Sequence, residues 1–319
     1  MRDIREKPIV VAALLGCAAA ALVHPPAARA ARWGADYFPN VPLVTQDGKV
    51  VHFYDDLLKG KRVAVNLIYT RCTASCPLET AKLSQVQRLL GAHVGKDVFF
   101  VSISIDPDHD TPEVLKAYAQ KFHAGPGWVF LTGKMEDIRL VAKRMGLASL
   151  TDVASRDGHQ PSLMIGNEPT GEWMRNSAVD NPQFLAATMA NFFHWNMGPS
   201  KSYAEARELP SVGQAPYLFR SRCAACHTIG NGPGIGPDLQ GVTERRQRGW
   251  LARYIAKPDV VLAEKDPIAT ALFEQYRSVR MPNLDLSSGE VSDLIDWIGE
   301  QSKANGARTD VAVKNAAMP

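Results

Sequence analysis

The stretch Val63-Ala64-Val65-Asn66-Leu67-Ile68-Tyr69-Thr70-Arg71-Cys72-Thr73-Ala74-Ser75-Cys76-Pro77 decides the reading of the first half of the chain. Val63 to Tyr69 is a β-branched and aromatic run of strand type, and Leu78 to Leu90 repeats apolar residues at helical spacing. Two cysteines therefore stand where a strand hands over to a helix. Proline at the first helical position loses no needed hydrogen bond, so Cys76 lies at or beside the helix N-terminus, where partial positive charge favours a thiolate. Both sulfurs are expected to be nucleophilic or metal-binding.

Outward from this stretch the pattern repeats. Val98 to Ile105 is a second strand, Pro112 to Phe122 and Met135 to Met145 are helical, Ser162 to Ile165 and Glu172 to Met174 offer two more strands, and Pro182 to Phe193 is another helix. Strand-helix alternation of this kind predicts a central sheet flanked by helices. Strand-Cys-helix geometry is that of thioredoxin-like folds, whose usual redox pair is C-x-x-C. The three-residue spacer here permits a disulfide and also opens the pair enough to chelate a metal. The predicted α/β thioredoxin-like domain covers 31–196.

Composition limits the alternatives. The chain has 319 residues, 45% hydrophobic and 22% charged, which suits two globular domains and excludes a disordered, collagen-like or multi-span membrane protein. Without the first 30 residues the basic and acidic counts are 32 and 31, split 18 to 18 before residue 206 and 14 to 13 after it. No part carries the basic excess that nucleic acid requires.

The amino terminus reads as an export signal over 1–30: Arg2, Arg5 and Lys7, an apolar run from Pro8 to Val23, then Ala28-Arg29-Ala30. Cleavage after Ala30 is expected. An uncleaved membrane anchor and lipidation of Cys17, in Leu14-Leu15-Gly16-Cys17, are the alternatives. The four remaining cysteines then lie in an oxidising compartment, the periplasm or the outer face of the cytoplasmic membrane.

Residues 197–212 form a linker poor in large apolar residues. A small all-α domain is expected over 213–301, with 302–319 a disordered tail. Tyr217 to Cys223, Trp250 to Ile255 and Glu290 to Ile298 are helical, separated by Gly/Pro-rich loops. So little core suggests that a large bound group completes the interior. Cys223-Ala224-Ala225-Cys226-His227 is the C-x-x-C-H attachment signature of c-type haem. Two thiols on one helical turn add to the haem vinyl groups, and His227 is held under the iron. The segment has no other His, so the second axial ligand is a thioether, a weaker group or water. Met318 lies in the tail, which leaves Met281. Gly236-Pro237, Trp250-Leu251 and Arg280-Met281-Pro282-Asn283 follow in an order that resembles a class I cytochrome c from Gly213 to Gln301. That resemblance also makes Met281 the second ligand. His/Met ligation favours outer-sphere electron transfer.

The first domain resembles the Sco (SenC) family of copper-binding proteins, from roughly Pro42 to Phe193. The residues that carry this are Tyr69-Thr70-Arg71-Cys72 with Cys76-Pro77, Ser104-Ile105-Asp106-Pro107-Asp108-His109-Asp110-Thr111-Pro112-Glu113-Val114-Leu115-Lys116-Ala117-Tyr118, and Asp157-Gly158-His159. The resemblance implies one copper bound by Cys72, Cys76 and His159, a donor set that suits either oxidation state. Thr73-Ala74-Ser75 lacks the Pro and Asp usual between the family's cysteines, which bears on affinity and partner choice.

Asp106, Asp108 and Asp110 do not form a calcium loop, since Thr111 and Ala117 stand where Gly and Glu belong. Asp110 or Thr111 is read as a helix cap before Pro112. His52, His93, His109, His123 and His194 are read as surface or structural. Arg245, Arg246 and Arg248 are read as a solvated turn, and Met135, Met145, Met164, Met174 and Met189 as core.

Two readings from different classes follow. In one, an exported Sco-like protein with a single covalent haem c supports copper delivery to a copper-containing oxidase subunit and exchanges electrons with a redox partner protein. In the other, Cys72 and Cys76 form the catalytic pair of a thiol-disulfide oxidoreductase. Electron carriage alone is a third. A peroxidase is disfavoured because Asn66 stands where its loop needs proline.

Overall fold

A computed structural model describes residues 33–147, 160–195 and 213–316. The expected export signal over 1–30 and the expected linker over 197–212 lie outside the described residues. Among those described, no helix is long and apolar enough to cross a membrane.

The first unit is a seven-stranded mixed sheet in the order β2-β1-β5-β4-β3-β6-β7. Its strands are β1 (Pro42–Thr45), β2 (Val50–His52), β3 (Arg62–Ile68), β4 (Phe99–Ser104), β5 (Trp128–Thr132), β6 (Ser162–Asn167) and β7 (Glu172–Ser177). β3, β4 and β5 run parallel, while β1, β6 and β7 pair antiparallel at their edges. Parallel pairing requires crossovers, which α1 (Cys76–Leu90) and α2 (Pro112–Lys121) supply. With α4 (Pro182–Phe192) these helices cover one face, and α3 (Met135–Arg144) covers the other.

Strand alternation decides which residues meet which face. Ala64 and Ile68 of β3 and Phe100 of β4 enter the core with α1, α2 and α4. Val63, Val65, Leu67, Val101 and Ile103 enter the core with α3, together with Leu43, Phe53 and Leu58. β3 is therefore apolar on both faces, as a central parallel strand should be.

The exceptions to that apolar run lie on the α1 face and lead toward the cysteines. Trp128 Nε1 donates to Ser102 Oγ (2.9 Å), and Ser102 Oγ donates to Asn66 Oδ1 (2.7 Å). Asn66 Nδ2 in turn reaches Glu79 Oε2 at 3.5 Å. At the same end Asp110 is fully buried and accepts from the Thr70 backbone N–H (3.0 Å), Thr70 Oγ1 (2.5 Å) and Ser104 Oγ (2.5 Å). The cap of α2 is thus Thr111, which accepts from Val114 N–H, and Asp110 instead ties the segment before Cys72 to the end of β4. Asp110→Ala strands these buried donors and is expected to cost about 2–4 kcal/mol of stability, read as a lowered denaturant midpoint.

The second unit is helical: α5 (Gln214–Leu218), α6 (Val242–Arg245), α7 (Arg248–Ala256), α8 (Pro258–Ala263), α9 (Pro267–Gln275) and α10 (Ser288–Ala316). Phe219, Leu294 and Ile298 form one small core, and Leu251, Val291 and Ile295 another. The expected disordered tail from residue 302 is corrected: α10 continues to Ala316. Ser302 is buried and accepts from Gly241 N–H, and Asn305 Nδ2 donates to the Ile229 carbonyl (2.8 Å). These contacts hold the helix past Gln301, where the sequence offers few large apolar residues.

The two units pack together. Ile235 of the second enters the α1-side core of the first, and Gln85 Nε2 lies 3.4 Å from the carbonyls of both Ala224 and Ala225.

Candidate functional site

Cys72 and Cys76 come together at the C-terminal end of β3. Cys72 closes a turn by donating its backbone N–H to the Tyr69 carbonyl (3.2 Å), and Cys76 is the first residue of α1 with Pro77 second. Both cysteines are buried, and no disulfide joins them. The Cys76 thiol donates to the Cys72 sulfur, which lowers the Cys72 pKa to about 6 and raises that of Cys76 well above its usual value. Burial and the nearby Glu79 push Cys76 further up. The thiolate expected at Cys76 from the helix N-terminus therefore resides on Cys72. Backbone N–H groups of Ala74 and Cys76 add to its stabilisation.

Glu79 is a residue that the sequence reading passed over. It is fully buried one turn into α1 and accepts from Ser75 Oγ at 2.7 Å. Burial raises its pKa to about 8, and the charge on Cys72 raises it further against the hydrogen bonds from Ser75 and Asn66. The only signal was an acidic residue three places after Cys76, among apolar ones.

Around the pair, Tyr118 and Thr80 share a hydrogen bond (2.9 Å), and both reach the Cys76 carbonyl, at 3.3 and 2.9 Å. Arg71 binds Asp106 Oδ2 through Nε (3.1 Å) and Nη2 (2.8 Å). These bonds fix the backbone on both sides of the cysteines. Asp106, His109 and Asp110 also lie close together, and the hydrogen bonds of Asp110 and Arg71 account for their arrangement. His159 lies outside the described residues, so two of the three expected copper ligands are brought together here.

In the second unit Cys223, Cys226, His227 and Met281 line the same cavity, two lobes of about 80 and 140 Å³ that share Pro237, Tyr254 and Leu272. The attachment motif forms a tight turn, with both Cys226 and His227 donating N–H to the Cys223 carbonyl at 3.0 Å. His227 Nδ1 is 2.9 Å from the Pro237 carbonyl. A carbonyl can only accept, so Nδ1 carries the proton and Nε2 keeps its lone pair for a metal. Burial lowers the His227 pKa and holds the ring neutral.

Gly236 has no room for a side chain: a Cβ there would lie 2.8 Å from His227 Cε1. Burial pushes both motif thiols up to about 12. A thioether, a neutral imidazole and two thiols around one apolar slot are a donor set that fits a haem. Met281→His, which exchanges thioether for imidazole, is expected to lower the haem reduction potential in a redox titration.

The cavity also has a wall from the first unit. Leu78, two residues after Cys76, lines it, so α1 faces the dithiol site at its first residue and the haem cavity at its third.

A mixed thioredoxin-like sheet with two cysteines around the start of α1 is joined to a helical unit whose apolar cavity is lined by Cys223, Cys226, His227 and Met281. Residues 31–161 match the SCO1/SenC family model, and residues 213–302 match that of cytochrome c. An SCO2-like protein of Rickettsia felis is 32% identical over 146 residues, covering 44% of this chain and 68% of that one. The chain belongs to the SCO1/SenC family and carries a cytochrome c domain after the family's thioredoxin-like domain.

It spans about half the length (47%) of two further rickettsial SCO2-like relatives. Among solved structures, a SCO1/SenC family lipoprotein from Bacillus anthracis is 29% identical, with TM-score 0.41, covering 51% of this chain and 98% of that one. The cytochrome c domain of the pp3183 protein from Pseudomonas putida is 48% identical, with TM-score 0.28, covering 33% and 99%.

Proposed function

We propose that this is an exported copper-binding protein with one covalent haem c. It supports copper delivery and redox assembly of a respiratory cytochrome c oxidase and exchanges electrons through the haem. The observation that carries this reading is the pair of buried cysteines, Cys72 and Cys76, brought together at the start of α1 in a chain of the SCO1/SenC family. A thiolate already present at neutral pH is a ready donor to a soft cation, and only Cys76 needs to release a proton on binding. His159 is the third ligand, and the copper site recipient is an oxidase subunit. The export signal over 1–30 places the protein in the periplasm or on the outer face of the cytoplasmic membrane.

A bound haem would supply one-electron chemistry. Cys223 and Cys226 would anchor it, His227 Nε2 and Met281 Sδ would ligate its iron, and the apolar lining would exclude water. Copper changes valence by one electron, which a single tethered haem matches at high effective concentration; a dithiol changes by two, so the haem would turn over twice against the redox partner protein.

The same thiolate-thiol pair favours a second reading, thiol-disulfide exchange with partner cysteines. His159→Ala separates the two when copper retention and reduction of a disulfide substrate are measured together. The delivery reading expects at least tenfold weaker copper retention in that variant and no disulfide turnover in the unaltered protein. Turnover that is undiminished in His159→Ala would establish the oxidoreductase instead.

A further inference from the structure

The second unit touches the dithiol loop itself at one backbone bond: Asn283 N–H donates to the Thr73 carbonyl at 2.7 Å. Thr73 stands between Cys72 and Cys76, and Asn283 stands two residues after Met281. On its own side Asn283 is fixed by its side chain, Nδ2 donating to Asp259 Oδ1 (3.0 Å) and Oδ1 accepting from Asp285 N–H (3.1 Å). Pro282 between Met281 and Asn283 locks φ and stiffens the connection. A shift of the Thr73 carbonyl therefore has a short, rigid path to the backbone of Met281.

The loop must change shape as it works. A disulfide places its sulfurs about 2.05 Å apart. Two thiolates on one metal, with bonds of about 2.3 Å, stay roughly 3.5–4 Å apart. We propose that Asn283 is a positioning residue that transmits the state of the Cys72–Cys76 loop to Met281, so that opening or closing the loop retunes the haem.

The inference rests on the reading of Met281 as an axial ligand and of the cysteines as the redox or copper site. Linkage makes the coupling reciprocal: the haem's oxidation state alters the dithiol by the same factor. Gain or loss of one hydrogen bond corresponds to roughly fivefold in an equilibrium constant. That is about 40 mV for a one-electron couple at 59 mV per tenfold.

The test uses the full haem-loaded chain. Its haem potential is measured with Cys72 and Cys76 as the dithiol, and again after treatment with glutathione disulfide. As the Cys72–Cys76 bond forms, two electrons and two protons pass to the reagent, giving two glutathione thiols. The two potentials are expected to differ by about 40 mV, converted as above, with a parallel change in the Met-to-iron charge-transfer band.

Asn283→Pro removes the donated N–H and is expected to abolish the difference. Asn283→Ala keeps the N–H but frees the side chain from Asp259, is expected to diminish the difference, and carries the test if the proline variant does not fold. Equal potentials in the unaltered chain, or a difference that survives Asn283→Pro, would overturn the inference while leaving both cofactors in place. Failure to attach haem, or an unchanged spectrum in Met281→Ala, would overturn the ligand reading and this inference with it.

Discussion

A chain in which Cys223 and Cys226 are both changed to serine is expected to lose the folded second unit, seen as loss of most helical circular dichroism from residues 213–316 and as rapid proteolysis after residue 196. The reason is arithmetic. The helical unit has two small apolar clusters flanking a slot whose two lobes are about 80 and 140 Å³. Left as void, the two lobes together cost roughly 5 kcal/mol at ~24 cal/mol per Å³. Whole-domain stability is about 5–15 kcal/mol. The prosthetic group therefore supplies much of the core, and the two thioether bonds keep it there. The first unit, with its own sheet and two cores, is expected to keep its separate unfolding transition. A second unit that stays fully helical in this variant would show that the protein core alone suffices.

Glu79→Gln is expected to stabilise the first unit at alkaline pH and leave it unchanged in acid. The native carboxyl keeps its proton up to about pH 8, against a usual value of 4.5. Between those values the unfolded chain has released the proton and the native chain has not. Stability therefore falls as pH rises through that window and levels off above it. The full window corresponds to about 3–5 kcal/mol at pH 8. Glutamine keeps an acceptor for Ser75 Oγ and carries no proton to lose, so the variant should lack this decline. Denaturant midpoints at pH 4 and pH 8 on copper-free protein check it; parallel profiles for the two proteins would contradict it.

How much of this was legible in the sequence depends on whether a signal was local. The β3–α1 and β4–α2 units and the haem motif were, because their strand runs are long and apolar and their helices carry Pro77 and Pro112 in the first turn. β1 and β2 were not: they have four and three residues, and β1 begins with proline. β5 was missed because five consecutive mostly buried residues show no alternation. In the second unit α8 and α9 were taken for loop, although Pro258 and Pro267 each sit at a helix start.

At the site, Cys72, Cys76, Cys223, Cys226, His227 and Met281 were all identified, and the structure groups them as two centres. The location of the thiolate was not legible. The helix N-terminus argues for Cys76, but the thiol-thiolate hydrogen bond and the burial of Cys76 beside Glu79 outweigh it. Both depend on contacts across the fold that spacing does not encode. The same holds for Leu78 and for the Thr73–Asn283 bond, which arise only once the two units pack.

Metal analysis and an optical spectrum of the full chain, purified from an envelope fraction competent for haem attachment, test the central claim most directly. The account expects one covalent haem and about one copper per chain, with the copper lost and the haem kept in Cys72→Ser/Cys76→Ser. A chain that carries haem but takes up no copper, or whose copper survives loss of both cysteines, would contradict it.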